Sequence, residues 1–193
     1  WTQPRYDSKR IIKSLEETPG VERTEWETVV QPLHGRSLDD RWHDIRKSYR
    51  TIIRRSQEEY SIRVGGVERW WQYVQCHRAA ATRPRSLESY QHQWAMIKNG
   101  HGRIAVAVDD HGTCVAAVMA LVYRGRAYYA SGPSVRRGVQ HGVLWAMSKH
   151  LADEGVGEFE IGWTGQPGGS ESVEFFKRGF GCTREKVVVL SRD

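Results

Sequence analysis

The sequence predicts a mixed α/β fold of the α+β kind, in which helices flank a mostly antiparallel sheet. From Arg103 onward, three extended segments are joined by tight turns at 109–112 and 124–125, which predicts an antiparallel meander. A helix, a strand, a second helix and a last strand follow the meander. The 193 residues, of which 39% are hydrophobic and 27% charged, suit one domain of ordinary size with a real core.

Hydrophobic periodicity and turn residues set the bounds of the elements in the second half of the chain. The helix that follows the meander begins near Gly138 and is stopped by Gly155. The predicted strands are 103–108, 113–123, 126–131, 158–163 and 186–190, the predicted helices are 138–154 and 170–178, and a Gly-rich loop covers 165–169.

The first half of the chain predicts helices with two short strands between them. Ser37 has the character of an N-cap, and apolar residues recur at helical spacing from Leu38 to Ile53, which predicts one long amphipathic helix to about Glu59. We assign residues 1–35 to an N-terminal extension of helix and strand, and 36–193 to a single domain. The remaining predicted elements are helices at 9–18, 67–80 and 86–98 and strands at 21–30 and 60–64.

Composition restricts the classes of function. The net charge of +6 is carried mostly by arginine, whose planar fork suits phosphate, so the basic surface either binds a polyanionic partner or is simply solvated. The three cysteines are far apart and predict reduced structural thiols rather than a disulfide framework or a metal site. No apolar stretch approaches the roughly 20 residues of a membrane span, and the N-terminus lacks the layout of a signal peptide. We therefore expect a cytoplasmic protein.

Two segments near the end of the chain resemble a known family. The run 155–163, Gly-Val-Gly-Glu-Phe-Glu-Ile-Gly-Trp, is followed by a Gly-containing loop and by 174–181, Glu-Phe-Phe-Lys-Arg-Gly-Phe-Gly. Together they are similar to the end of FemABX-type transferases, which have the GNAT acyltransferase fold, and the resemblance extends upstream through 44–50 and 77–94. It implies a single GNAT-like domain that moves an aminoacyl group from aminoacyl-tRNA, or an acyl group from another activated donor, to an amine of a peptide or cell-wall precursor.

The resemblance also implies site residues. Lys177 occupies the position of the family's functional lysine, beside Phe176, and a cation there could stabilise the oxyanion of acyl transfer; the alternative is a surface lysine next to core phenylalanines. The base that would deprotonate the amine stays open among Glu160, Glu171, Glu174 and His141, unless the substrate supplies it. We expect substrate contacts from Arg83, Arg85, Trp163 and Arg178, and contacts to phosphate or tRNA from Arg46, Arg50, Arg54, Arg136 and Arg137.

The sequence departs from related enzymes in two places. The turn that holds the pyrophosphate of coenzyme A in ordinary GNAT enzymes falls at 135–142, where Val135 and Gln140 replace the expected residues. Full Fem-type enzymes have two GNAT-like domains, so a homodimer or a second subunit could complete the cleft here. We expect no metal and no tightly bound cofactor, with aminoacyl-tRNA as co-substrate. The alternatives are a coenzyme A-dependent N-acetyltransferase and a non-catalytic module that binds tRNA or peptide.

Aromatic and basic residues are interleaved from Arg69 to Trp94. Such a mixture could stack bases or hold an acceptor substrate. Tryptophans at helical spacing are more often part of a core, and we favour the core interpretation.

Overall fold

The structure, a computed structural model, describes residues 19, 21–82, 85–164 and 171–192. Within these ranges it contains seven strands and six α-helices. The strands are β1 (Val21–Pro32), β2 (Ser61–Gly65), β3 (Gly102–Val108), β4 (Cys114–Tyr123), β5 (Arg126–Ser131), β6 (Glu158–Thr164) and β7 (Thr183–Arg192). The helices are α1 (Leu38–Asp44), α2 (Lys47–Glu59), α3 (Trp70–Ala80), α4 (Leu87–Lys98), α5 (Val139–Asp153) and α6 (Glu171–Arg178).

All seven strands form one sheet in the order β2-β3-β4-β5-β6-β1-β7. Every neighbouring pair is antiparallel except β5 and β6, which run parallel. The predicted mixed α/β fold with a mostly antiparallel sheet flanked by helices is confirmed, as is the meander β3-β4-β5 followed by α5, β6, α6 and β7. The predicted helix 9–18 and the loop 165–169 lie outside the described residues.

The sheet is covered on both faces, and β3 shows how the sequence divides between two cores. Ala105 and Ala107 face the core formed with α2 and α5, whereas Ile104 and Val106 face the core formed with α3 and α4. Since successive strand residues point to opposite faces, a strand buried on both sides carries an almost continuous apolar run. Phe176 and Phe180, at the end of α6, belong to the first core.

β1 lies between β6 and β7 and pairs with both, from Glu27 to Pro32 with β6 and from Val21 to Val30 with β7. The sheet therefore includes residues from the segment that precedes 35. The division of the chain at residue 35 stays a prediction.

The single helix predicted from Ser37 to Glu59 is wrong, because two helices occupy this stretch. α1 begins in a capping box formed by Ser37 and Asp40, as predicted, but Ile45 and Arg46 have non-helical backbone with ψ of 133° at both residues. The break frees the Arg46 N–H to donate to the Gly179 carbonyl at 2.9 Å. The apolar spacing continues across the break because both helices cover the same core, and periodicity alone does not detect such a kink.

The three cysteines are free thiols. Cys76 on α3 donates to the Pro133 carbonyl, and Cys114 on β4 donates to the Ala116 carbonyl. The two thiols interact, and this interaction together with burial raises the pKa of Cys76, whereas the interaction lowers the pKa of Cys114 although burial opposes it. Burial raises the pKa of Cys182 to about 12. In the described ranges, no group of three or more His, Cys, Asp or Glu side chains could hold a metal ion, and no helix has the length and apolar character to cross a bilayer.

Candidate functional site

Lys177 lies in the last turn of α6 and reaches across β6. Its Nζ is 3.3 Å from the point that a Cβ atom on Gly162 would occupy. Gly162 has φ of +100°, a backbone conformation that glycine adopts at little cost. The register of β1 and β6 shifts here, with Val29 opposite Gly162 and Val30 opposite Glu160. A β-bulge therefore sets the place where the lysine side chain crosses the strand.

Four rings from three helices and the turn after α6 form a cluster beside this lysine, which we call the aromatic cluster: Tyr49, His141, Phe176 and Phe180. The His141 ring centroid is 4.4 Å from that of Tyr49 and 4.9 Å from that of Phe176, both edge to face. Phe176 and Phe180 are 5.2 Å apart. Such contacts fix ring orientations, so the cluster holds α6, and with it the backbone of Lys177, against α2 and α5.

The start of α2 is bonded to the end of α6 by backbone and side chain. The Tyr49 hydroxyl donates to the Phe175 carbonyl at 3.2 Å and accepts from Arg46 Nη1 at 3.3 Å. The Arg46 guanidinium carbon lies 3.8 Å from the centroid of the Phe175 ring, a cation–π contact. Burial raises the pKa of Tyr49 despite the nearby Arg46, so the hydroxyl keeps its proton at neutral pH.

This contact also explains the glycines of the motif that ends the short helix. A Cβ atom on Gly179 would overlap the Tyr49 ring, and one on Gly181 would lie 2.5 Å from the Asp44 Cβ. Only glycine allows the chain to pass this close to α1 and α2. The motif therefore has a packing role, in addition to placing Lys177.

β5 and β6 pair over a short distance only. The parallel ladder pairs Arg126–Tyr128 with Glu158–Glu160. Within the described strands, no further residues of β5 and β6 are paired. On the β5 side the next residue, Tyr129, is fixed by Gln140, whose amide Nε2 donates to the Tyr129 hydroxyl at 3.3 Å and to the Ala117 carbonyl at 3.1 Å. Burial raises the pKa of Tyr129 to about 12. The β5–β6 ladder therefore ends at Glu160, two residues before Gly162, beside which the Lys177 Nζ atom lies.

Two of the four carboxylate or imidazole candidates for a base are described in full. Glu160 accepts from the Thr28 hydroxyl at 2.9 Å and pairs with Arg126 at 3.2 Å, so its oxygens are already bonded. His141 donates from Nδ1 to the Gly138 carbonyl at 3.0 Å, and burial lowers its pKa, which leaves a neutral ring with Nε2 as an acceptor. The side chains of Glu171 and Glu174 lie outside the described part of the structure.

The arginines predicted to bind phosphate separate into two regions. Arg46 contacts the aromatic cluster, and the exposed pair Arg136 and Arg137 precedes α5, whose first residues adjoin α2. Arg54 instead lies over Trp42, 5.3 Å from its ring centroid. Arg50, one turn before Arg54, is half-buried.

The predicted substrate contacts are likewise divided. Arg178 is exposed at the end of α6, next to Lys177. Arg85 lies before α4, where its Nε donates to His77 Nε2 at 3.0 Å, and this belongs to the core on the other face of the sheet. Arg83 and the Trp163 side chain lie outside the described residues.

Sequence reasoning did not assign roles to Tyr49 or Gly162. Both are inside segments that resemble the FemABX-type family, but their roles depend on long-range contacts. Tyr49 has helical apolar spacing, like any core residue, and only the fold shows that its hydroxyl bonds the Phe175 carbonyl.

No protein-family model matches the sequence, and no curated protein matches it either. Solved structures do match. The structure of FemX superposes with a TM-score of 0.70 at 12% identity, over 92% of this chain and 66% of FemX. L-PGS from Bacillus licheniformis gives 0.60 at 14% identity, over 90% of this chain and 63% of that protein. An aminoglycoside acetyltransferase from an uncultured soil metagenomic sample, solved with sisomicin, gives 0.51 at 12% identity, over 64% and 88%.

This chain spans less than two thirds of the length of FemX and of L-PGS. At these identities the similarity concerns the fold. The chain has the GNAT fold in its FemABX-like form, as the sequence predicts.

Proposed function

We propose that this protein is an acyltransferase of the Fem-like kind, which forms an amide bond by moving an aminoacyl group from aminoacyl-tRNA to an amine of a peptide-type acceptor. The fold similarity to FemX over 92% of the chain supports the acyltransferase class. The observation that carries the proposal is the position of Lys177, whose ammonium group lies beside Gly162, just beyond the end of the β5–β6 ladder.

Lys177 would act on the charge that develops during transfer. When the amine attacks the ester carbonyl of the donor, the carbonyl oxygen becomes an oxyanion, and a fixed cation beside it lowers the barrier. The aromatic cluster supports this role in two ways. It holds α6 through Phe176, and it thereby fixes the backbone from which the Lys177 side chain extends, so that the cation is in place before the charge develops.

One proton must be transferred during the reaction. The new C–N bond forms as the C–O bond of the aminoacyl ester breaks, and the proton lost by the amine is received by the ribose oxygen that leaves. Glu160 is bonded to Thr28 and Arg126, and His141 is enclosed by rings, so neither is placed as a free base. Transfer of the proton within the substrate, directly or through a water, therefore fits this site best.

The donor would approach over the start of α5. Among the described residues no side chain caps this helix, which begins at Gly138 with φ of +87°. An uncapped helix N-terminus beside arginines favours phosphate, and Arg136 and Arg137 are exposed there. Arg46 lies immediately before the neighbouring helix α2. We assign these three arginines to the donor's phosphates and Arg178 to the substrate side; a second copy or another subunit could complete the acceptor cleft.

A coenzyme A-dependent N-acetyltransferase is the second candidate. It is favoured by the similarity to the acetyltransferase solved with sisomicin, of which the chain covers 88%. The same start of α5 would then hold the pyrophosphate. The sequence of 135–142 argues against it, since Val135 and Gln140 stand where this turn usually has other residues.

The donor and Lys177 are tested in one assay. Radiolabelled aminoacyl-tRNA and acetyl-coenzyme A are supplied separately with a panel of peptide amines, and product is measured for the wild type, for Lys177→Ala and for Lys149→Ala. Lys149 is an exposed lysine on α5 and serves as the control. We expect transfer from aminoacyl-tRNA, a rate about 10²- to 10³-fold lower in Lys177→Ala, as for the loss of one oxyanion donor, and no change in Lys149→Ala.

Three outcomes would contradict the proposal. Transfer from acetyl-coenzyme A alone would establish the second candidate. Binding of tRNA without transfer from either donor would indicate a non-catalytic module. An unchanged rate in Lys177→Ala would remove the lysine from the catalytic assignment.

A further inference from the structure

A cavity of about 590 Å³ lies between α3 and α4, on the face of the sheet opposite the aromatic cluster. Cavities of several hundred Å³ are the size that binds small molecules. Its walls are largely aromatic, with Trp70, Tyr90 and Trp94 packed against one another, and Trp70 is 5.5 Å from Trp94 between ring centroids. Trp71 and Leu87 also line it and are 73% and 74% exposed. Exposed apolar side chains grouped around a concave site indicate a surface that binds a ligand or a partner.

The polar groups of this cavity are few and already partly bonded. The Tyr90 hydroxyl is 2.9 Å from His77 Nδ1, and the Arg85 Nε donates to His77 Nε2. Backbone N–H and C=O groups in the middle of α3 and α4 are bonded within the helices. Among the described lining residues, Gln91 is the one with a side-chain amide. A ligand with many donors and acceptors, such as a peptide backbone or a nucleobase, would leave them unpaired here, which costs free energy.

The charged residues of the described lining are both arginines. Arg78 and Arg85 line the cavity, and in the described part of the chain no carboxylate does. Arg78 is exposed at the rim. Guanidinium groups bind phosphate or carboxylate in a bidentate manner. A second copy of the chain docked by a two-fold axis would bring the same arginines together, so the charge opposes self-association through this face.

We propose that this cavity binds a single amphiphilic anion, a molecule with a hydrocarbon chain that ends in a phosphate or carboxylate. The chain lies against Trp70, Trp71 and Trp94, and the anionic end is held by Arg78 and Arg85. This site does not depend on the proposed transfer reaction, since Lys177 and the aromatic cluster lie on the other face of the sheet. Loss of one activity therefore leaves the other measurable.

Binding of dodecyl phosphate, kept below its critical micelle concentration, is measured by isothermal titration calorimetry. Dodecyl maltoside tests the need for the anion, and inorganic phosphate and adenosine monophosphate test the need for the hydrocarbon chain. We expect saturable one-to-one binding of dodecyl phosphate, at least tenfold tighter than that of the other three probes. The variants Arg78→Ala, Trp71→Ala and Leu87→Glu should each weaken binding about tenfold, the loss expected for one charged hydrogen bond or one apolar contact.

Matched controls are exposed residues that do not line the cavity. Tyr123 is 66% exposed on β4, and Arg63 is exposed on β2, so Tyr123→Ala and Arg63→Ala should bind as the wild type does. The three cavity variants alter exposed side chains, and circular dichroism melting curves verify that each is folded.

The proposal is overturned by any of four results. The first is no saturable binding of dodecyl phosphate, including the case in which the protein sediments only with vesicles of anionic lipid. The second is equal binding by the wild type and all three folded cavity variants. The third is tighter binding of adenosine monophosphate than of dodecyl phosphate. The fourth is a wild-type dimer that Trp71→Ala converts to a monomer, which would make the cavity an interface between copies.

Discussion

Gly162 and Lys177 are fifteen positions apart in the sequence and adjacent in the fold. The sequence identifies Lys177 by its resemblance to a motif, but it does not distinguish Gly162 from the other eighteen glycines of the chain. The structure does so by two measurements, a φ of +100° and a lysine Nζ 3.3 Å from the missing Cβ. The position of the lysine side chain therefore depends on both Gly162 and Lys177, and only Lys177 is identified by a sequence motif.

We predict that Gly162→Ala lowers both stability and transfer. An alanine at positive φ costs about 1–2 kcal/mol of unfolding free energy, and its methyl group displaces the ammonium group by a few tenths of an ångström or more. Chemical denaturation measures the first effect and the labelled transfer assay the second.

Gly155→Ala is the control for this variant. Gly155 has φ of +78°, and no described atom lies within 4 Å of the position of its Cβ. It should lose a similar amount of stability with no change in transfer. Equal transfer rates in Gly162→Ala and Gly155→Ala would contradict the role of Gly162 in positioning Lys177.

At the scale of secondary-structure elements, the close packing of α2 on α5 depends on Gly142. A Cβ atom on Gly142 would lie 2.7 Å from the Ser56 Cβ and 2.9 Å from the Ile62 Cδ1, so these helices touch almost backbone to backbone. This close approach brings Tyr49 onto His141 and thereby sets the position of α6. Helical periodicity predicts which faces of α2 and α5 are apolar, but not how near the two axes come, because the distance depends on the residue opposite each contact.

We predict that Gly142→Ala destabilises the protein although alanine favours a helix. The gain in helix propensity is about 1 kcal/mol, whereas overpacking at a rigid contact costs about 1–3 kcal/mol. Removing the opposing atom in Ser56→Gly should relieve the clash. A double-mutant cycle from urea unfolding should therefore give a favourable coupling of about 1 kcal/mol between the two changes; a coupling of zero would mean that the helices adjust freely.

For the whole molecule, the buried His77 and the half-buried His141 link the free energy of unfolding to pH. Burial lowers the pKa of His141, and burial together with Arg85 lowers that of His77. Because the unfolded chain binds a proton near pH 6.5 and the folded one only below that, the unfolding free energy decreases as the pH falls through about 6.5 and towards the lower folded pKa values. Above pH 7 both histidines are neutral in both states, and this contribution is fully present.

We predict that the loss of stability between pH 7.5 and pH 5.5 is smaller in His141→Gln and in His77→Gln than in the wild type. Urea unfolding at the two pH values gives the difference for each protein. His111→Gln, at an exposed position, should show the wild-type difference. The same dependence on pH in all four proteins would show that other groups cause it.

The sequence alone was enough to predict the α+β class, the order of the elements from β2 to β7, the resemblance to FemABX-type transferases and the choice of Lys177. These depend on local patterns, namely alternation in strands, helical spacing and turn residues, and on one contiguous motif. Tertiary structure alone decided the kink at Ile45–Arg46, the bulge at Gly162, the bond from Tyr49 to α6 and the division of the arginines between two faces of the sheet. The physical reason is that each of these is a contact between residues far apart in sequence, and its energy comes from packing and hydrogen-bond geometry that no local propensity encodes.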